Sequence, residues 1–322
     1  MKRITASIDT DMIEFEKEYS AALHSDVGLI NTIGNYIIKQ RGKRVRPLLT
    51  ILSSRVCGEP NINSFRAAAL IELLHVATLV HDDVVDDADL RRGFSSVNRV
   101  WKNKISILMG DYILSKALIN MIKLRNFDAL ELMSETAEKL SSGEILQMEK
   151  NLGKKMTESY YYDVIYQKTA SLISACCELG AITTTNSHDD RSAMRAYGTN
   201  FGMAFQIKDD LFDLLGSENE TGKDSGIDVK KNMMTLPLII AKSNLTFSEN
   251  RKLNSVLGIK KKSKKDLKEI QRIVEKAGGF DYAKNKIAYY SNKAIEALHT
   301  YPDTQYKQSM LDFVAFNMER RN

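Results

Sequence analysis

Apolar side chains recur three and four positions apart through most of the 322 residues, and no convincing run alternates apolar and polar with the two-residue period of a strand. The spacing predicts helices over residues 9–24, 26–40, 46–57, 61–89, 104–124, 127–151, 158–182, 189–216, 235–243, 247–257, 263–277, 279–299 and 303–319. Thr157 and Asp189 stand where interhelix turns give way to new helices, and Ser263-Lys-Lys-Asp266 reads as a capping box. The longest irregular stretch, Ser217 to Met234, carries Gly222, Gly226 and polar residues, as a flap would. With four prolines and no Pro/Ser-rich linker, the pattern predicts an all-α fold in a single domain, 1–322.

Composition narrows the setting. A 43% hydrophobic chain of this length can bury a sizeable core. The formal charge of +5 is too small to imply nucleic acid, and Lys260 to Lys265 reads as a solvated loop and first helical turn. Cys57, Cys176 and Cys177 show no C-x-x-C spacing, so they are expected as small buried residues in a reducing compartment. The amino terminus lacks an apolar signal core, and no uninterrupted run of ~18 apolar residues suggests a span, so the expected location is cytoplasmic. The chain has no G-x-G-x-x-G or G-x-x-x-x-G-K-[ST] loop; phosphate, if bound, must be held by metals and side chains.

Two acidic groups supply the candidate chemistry. Asp82, Asp83, Asp86, Asp87 and Asp89 crowd eight positions at the end of an apolar run. On a continuous helix Asp82, Asp86 and Asp89 would lie within roughly 40° of one another. Like charges so placed repel, so the arrangement costs stability unless cations sit among them. Hard divalent ions suit these oxygens, and Mg²⁺ would share the rest of its shell with water and phosphate. Arg91 and Arg92 follow at once, the residue type suited to bidentate phosphate contacts. About 125 residues further along, Asp209-Asp210-Leu-Phe-Asp213 repeats D-D-x-x-D inside another apolar run. One such motif is ordinarily a solvated acidic face; two point to helices facing across a cavity with metals bridging a polyphosphate.

With these motifs the chain resembles the trans-type isoprenyl (polyprenyl) diphosphate synthases, in particular their long-chain members. Asp82 to Asp86 and Asp209 to Asp213 match the family's two aspartate-rich motifs, and Gly42-Lys43-Arg44-Val45-Arg46-Pro47 its basic motif. His75, Lys168-Thr169 and Gln206 match further family positions in the family's order. The resemblance implies an isoprenoid-synthase-type helical bundle around a central cavity, and Mg²⁺-dependent 1′-4 condensation of isopentenyl diphosphate with an allylic diphosphate, farnesyl or geranyl. It also implies a homodimer, three Mg²⁺ ions per site with diphosphate bound, and at most peripheral membrane contact for product release.

The same resemblance distributes roles. Asp82, Asp86 and Asp209 are the leading direct ligands, with Asp83, Asp210 and Asp213 ligating directly or through water. Arg91, Lys168 and Lys223 would surround the allylic diphosphate; Lys43, Arg46, His75 and Arg92 would hold the diphosphate that stays attached. Thr169 and Gln206 would turn oxygen dipoles toward the allylic cation. His75 has a plainer reading as a core histidine, and Lys43 and Arg46 as a solvated helix start, with Pro47 in the first turn. One position departs from the family. A lysine usually stands two residues before Thr235-Leu236-Pro237, where this chain has Met233, with Lys230 or Lys231 as substitutes.

Ala77 and Thr78 lie about one helical turn before Asp82. Short-chain members block the tunnel there with bulky aromatics, so small residues imply a long product, roughly six to ten isoprene units, for a quinone side chain. Leu132 and Met133 are candidates for the tunnel floor. The competing readings are a short-chain (farnesyl or geranylgeranyl) synthase, a terpene cyclase, which would have no use for Lys43, Arg46 and His75, and a silent partner subunit, which would have lost an acidic motif.

Overall fold

The structure is a computed structural model describing residues 2–40, 42–91, 93–151, 156–216, 227–230, 233–259 and 261–320. Arg92, Lys223, Lys231 and most of the expected flap lie outside the described residues.

The fold is all-α. Its principal helices are α1 (Asp9–Leu23), α2 (Gly28–Lys39), α3 (Val45–Cys57), α4 (Ile62–Val85), α5 (Val97–Lys123), α6 (Phe127–Asn151), α7 (Glu158–Ile165), α8 (Ser171–Ile182), α9 (His188–Leu215), α10 (Leu236–Asn244), α11 (Phe247–Leu257), α12 (Lys264–Lys276), α13 (Gly279–Glu296) and α14 (Gln305–Glu319). Thr157 caps α7 by accepting from the Tyr160 amide, and Ser263 and Asp266 form the expected capping box on α12.

Three departures from the sequence pattern bear on function. The helix expected over 61–89 ends at Val85, and Asp87 turns the chain at φ 50°. Asp86 is therefore the C-cap, its amide donating to the Asp82 carbonyl at 2.8 Å, and Asp89 lies off the helix rather than on a face with Asp82. Four aspartates in six positions favour a helix end, because they repel along a helical face and suit turns. A two-residue antiparallel hairpin follows, β1 (Leu90–Arg91) with β2 (Phe94–Ser95), turning at Gly93 with φ 82°. Finally, the helix expected over 158–182 is broken by a π turn, Tyr166–Ala170, in which the Ser171 amide reaches the Tyr166 carbonyl.

Contacts divide the chain into two units: Met1–Ala137 with Ile173–Arg195 and Thr300–Met310, and Glu138–Leu172 with Ala196–His299 and Leu311–Asn322. In the first, α4 is the central helix. Every residue from Ala67 to Ala77 is buried, and α1, α3 and α5 pack around it. Leu70, Ile71, Leu73 and Leu74 each contribute about 1.5–3 kcal/mol of apolar burial. On α8, Gly180 allows backbone approach to α3: a Cβ there would stand 2.2 Å from the Thr50 carbonyl oxygen. The α5 helix is long and apolar enough to cross a membrane by length and composition alone. One side of it is buried (Met109, Ile113, Ala117, Met121), while Ile107, Leu108, Leu118, Ile119 and Ile122 are exposed. The second unit has its core among α7, α9, α10, α12 and α13, built on Ile165, Ile207, Leu211, Leu238, Ile270, Val274 and Phe280.

All three cysteines are free, and Cys176 and Cys177 are buried. Burial pushes the Cys57 and Cys177 thiols up to about 12 and raises Cys176 well above the ordinary range, which leaves all three inert near neutrality.

Candidate functional site

In the first unit, the basic motif opens α3. Arg44, at φ 50°, turns inward: it donates to Glu72 Oε1 at 2.5 Å, lies 3.5 Å from a Glu16 carboxylate oxygen and covers the Tyr19 ring at 4.6 Å. Glu72 is almost fully buried; desolvation pulls the Arg44 guanidinium down, but Glu72, Tyr19 and Glu16 beside it leave it raised above the ordinary arginine range. This charge pair fixes the motif's backbone, and the lone glutamate inside the apolar run of α4 was its sequence signal. Lys43 is exposed; Arg46, two positions past Arg44, brings Nη1 to 2.9 Å from Nε2 of the buried His75. Two residues expected to share one diphosphate are thus adjacent.

Asp82 is half-buried and Asp86 exposed, whereas Asp83 is buried and bonded by Arg91 through both Nε (2.8 Å) and Nη2. Asp83, Arg91, Arg44, Gln40 and Val76 line a cavity of about 30 Å³. Ala77 is fully buried and Thr78 half-buried, its hydroxyl donating to the His75 carbonyl. His81 covers Gly110 of α5 and reaches Asp111 at 3.2 Å, which accounts for a residue without an obvious role.

In the second unit, Lys168, Thr169, Gln206 and Asp210, all singled out from sequence, line one cavity of about 180 Å³ together with Gln147, Met156, Tyr161, Val164, Ile165, Met233, Met234 and Thr235. The π turn carries Lys168 and Thr169, and Gly143 of α6 makes room for it: a Cβ there would meet the Lys168 amide nitrogen at 2.9 Å. Lys168 Nζ stands 2.7 Å from Glu144 and 3.1 Å from Gln147 Oε1. A directed chain of hydrogen bonds runs behind the wall. Thr169 Oγ1 donates to Gln206 Oε1 (2.7 Å), Gln206 Nε2 donates to Asp210 Oδ1 (2.7 Å), and the Tyr161 hydroxyl donates to Asp210 Oδ2 (2.6 Å). A carboxylate only accepts, so Asp210 fixes which way the Gln206 amide points. Tyr161, buried, gave no sequence signal beyond its place in a run of tyrosines.

Asp209 and Asp213 lie one turn apart on α9 and are half-buried. Arg320, just past α14, donates to Asp209 Oδ1 at 2.5 Å and to the Phe205 carbonyl at 3.2 Å, with its guanidinium 4.4 Å over the Phe205 ring. Nearby Lys208 is lowered from the ordinary lysine range by desolvation, then by Arg320 and Lys284. No motif announced Arg320.

Among the described residues no group of three or more His, Cys, Asp or Glu side chains could hold a metal by itself. Mg²⁺ ordinarily takes one or two carboxylates and completes its shell with water and phosphate. The second aspartate of each motif, Asp83 and Asp210, is buried and engaged by protein donors; the first, Asp82 and Asp209, is half-buried, and Asp209 too accepts from Arg320.

An all-α scaffold with paired acidic motifs, clustered arginine and lysine, and a polar-walled cavity defines a diphosphate-handling transferase. The polyprenyl synthetase family model matches residues 27–277. The chain is 32% identical to the all-trans-nonaprenyl-diphosphate synthase (geranyl-diphosphate specific) of Rhodobacter capsulatus, over 98% of this chain and 97% of that one. It is also 32% identical to the octaprenyl diphosphate synthase of Escherichia coli, over 99% of both. The crystal structure of a polyprenyl synthase from Caulobacter crescentus complexed with calcium and isoprenyl diphosphate superimposes with a TM-score of 0.91 at 30% identity, covering 100% of this chain and 98% of that one. The chain belongs to the polyprenyl synthetase family and is a prenyltransferase.

Proposed function

We propose that this prenyltransferase, as one domain over 1–322, condenses isopentenyl diphosphate with geranyl or farnesyl diphosphate, 1′-4 and repeatedly, into a long all-trans polyprenyl diphosphate for a quinone side chain. The observation that carries this is the cavity wall of Lys168, Thr169, Gln206 and Asp210, two pairs of residues from separated stretches of the chain gathered on one surface.

The wall suits an allylic cation. Asp210 holds the Gln206 amide with its acceptor oxygen, not its donor nitrogen, toward Thr169. Lys168, with Arg91, would hold the allylic diphosphate; Arg46 and His75, with Lys43, suit the diphosphate that stays attached, and their 2.9 Å contact supports a shared anion. Asp82, Asp86, Asp209 and Asp213 would hold Mg²⁺, three ions with diphosphate bound, while Asp83 and Asp210 brace Arg91 and Gln206. Bound Mg²⁺ supplies Lewis-acid neutralisation of the departing pyrophosphate. The two relatives crystallised or named above support diphosphate and divalent-cation use by likeness.

Small residues at Ala77 and Thr78 support a long product. The exposed apolar strip on α5 supports a homodimer, since a second copy would cover it better than solvent. A cytoplasmic location with peripheral membrane contact at product release completes the reading. Incubating the purified protein with Mg²⁺, farnesyl diphosphate and labelled isopentenyl diphosphate, then sizing the products, tests it: polyprenyl diphosphates are expected, and a cyclic hydrocarbon or no condensation would overturn it.

A further inference from the structure

Lys168 and Asp210 are the charged side chains among the described residues that line the 180 Å³ cavity of the second unit. Asp210 accepts from Gln206 and Tyr161, so an anion entering the cavity meets the Lys168 ammonium. A lysine head on its four-carbon stem ordinarily sweeps a wide arc, and ordering it on a ligand costs entropy. Here two side chains of α6 hold it: a Glu144 carboxylate oxygen stands 2.7 Å from Nζ and Gln147 Oε1 3.1 Å from it.

The junction around this contact is built from backbone outward. Glu144 and Gln147 are three positions apart on α6 and share a face. Gly143 lets that face approach the π turn, since a Cβ there would stand 2.9 Å from the Lys168 amide nitrogen and 3.0 Å from Gln167 Cβ. The Tyr160 hydroxyl of α7 donates to the Leu146 carbonyl at 2.8 Å, stitching α6 to the helix that runs into the π turn. With two acceptors against the ammonium, at least one of its three N–H groups is left for a ligand oxygen, in a direction that those contacts set.

Stability does not account for the pair. The Lys168 and Glu144 side chains are 37% and 27% exposed, and ion pairs so hydrated add little to folding. Nor does affinity, because a carboxylate beside the lysine weakens its pull on an anion. What the pair supplies is orientation, which counts most as charge builds on a departing diphosphate.

We infer that Glu144 is a positioning residue for prenyl transfer: with Gln147 it holds the Lys168 ammonium so that the remaining N–H meets the allylic diphosphate as the carbon–oxygen bond breaks and its electron pair leaves with pyrophosphate. The inference rests on reading this cavity as the allylic site.

Single-turnover rates of the first condensation, with Mg²⁺, farnesyl diphosphate and labelled isopentenyl diphosphate, are compared for the wild type, Glu144→Ala, Glu144→Gln, Lys168→Ala and the double variant. Alanine is the best helix former, so α6 is kept. Glu144→Ala should react about tenfold more slowly, with no rise in the farnesyl diphosphate concentration that gives half the maximal rate. Glu144→Gln keeps an acceptor for the ammonium and should stay within about threefold of the wild type. On the Lys168→Ala background, removing Glu144 as well should slow the reaction no further. Melting temperatures of the Glu144 variants should stay within roughly 3 °C of the wild type. A wild-type rate for Glu144→Ala would overturn the inference, as would the same loss on the Lys168→Ala background, or a slowing in both Glu144 variants that tracks a lowered melting temperature. A wild-type rate and half-saturation for Lys168→Ala would instead overturn the placing of Lys168 on the allylic diphosphate.

Discussion

Tyr161→Phe removes one hydroxyl that donates to Asp210, 2.6 Å away, with both residues at least nine-tenths buried. A neutral donor to a buried carboxylate is worth about 1.5–3 kcal/mol. The adjoining cavity can admit a water that restores part of the bond, which places the expected loss near ~1.5 kcal/mol. At ~2–4 °C per kcal/mol the melting temperature should fall by roughly 3–6 °C. Catalysis should suffer differently from binding. Asp210 relaxes, the Gln206 amide loses its fixed direction, and kcat should fall about tenfold from misplacement of an oxygen dipole. KM for either diphosphate should not change, since Tyr161 touches neither in the proposed reading. Thermal unfolding and steady-state kinetics on both substrates decide it. An unchanged kcat with a lowered melting temperature would refute the directing role of Asp210, and a rise in KM alone would place Tyr161 on the diphosphate instead.

Ala77→Phe should shorten the polyprenyl product, read by chromatography of the dephosphorylated chains; an unchanged product length would sink the tunnel reading. Gly180→Ala forces a Cβ to within 2.2 Å of the Thr50 carbonyl oxygen and should cost about 1–3 kcal/mol in denaturant unfolding, with wild-type stability as the refuting result. Burial pushes Cys177 up to about 12, so in alkaline solution the unfolded chain releases a proton that the folded chain keeps. Its contribution is therefore intact below about pH 9 and is lost by about 1.4 kcal/mol per pH unit above it. Cys177→Ala should flatten the decline in stability between pH 8 and 11, and equal slopes would contradict the assignment.

Helical periodicity made the all-α class legible, because a helix that must bury one stripe writes that stripe into its sequence. The acidic and basic motifs were legible for a different reason: charges inside apolar runs are costly enough to need an account. What sequence concealed were contacts between residues without local pattern. Asp83 and Asp86 look equivalent in D-D-x-x-D, yet Arg91 engages one while the helix end exposes the other. Periodicity ran α4 on to residue 89 because it does not count repulsion among the aspartates. Tyr161, Thr235 and Arg320 became visible only once α7, α9, α10 and α14 had brought them to the cavity wall or the second acidic motif.

The π turn at Tyr166–Ala170 has a consequence for how relatives are compared. It holds one residue more than an α turn would, so deleting any single residue from it would rotate everything that follows in that helical run by about 100°. An insertion or deletion in an exposed loop is drift that selection overlooks. Here the same event would carry Lys168 and Thr169 off the cavity wall, so a gap falling on this turn in a distant homologue marks altered chemistry rather than tolerated variation in length.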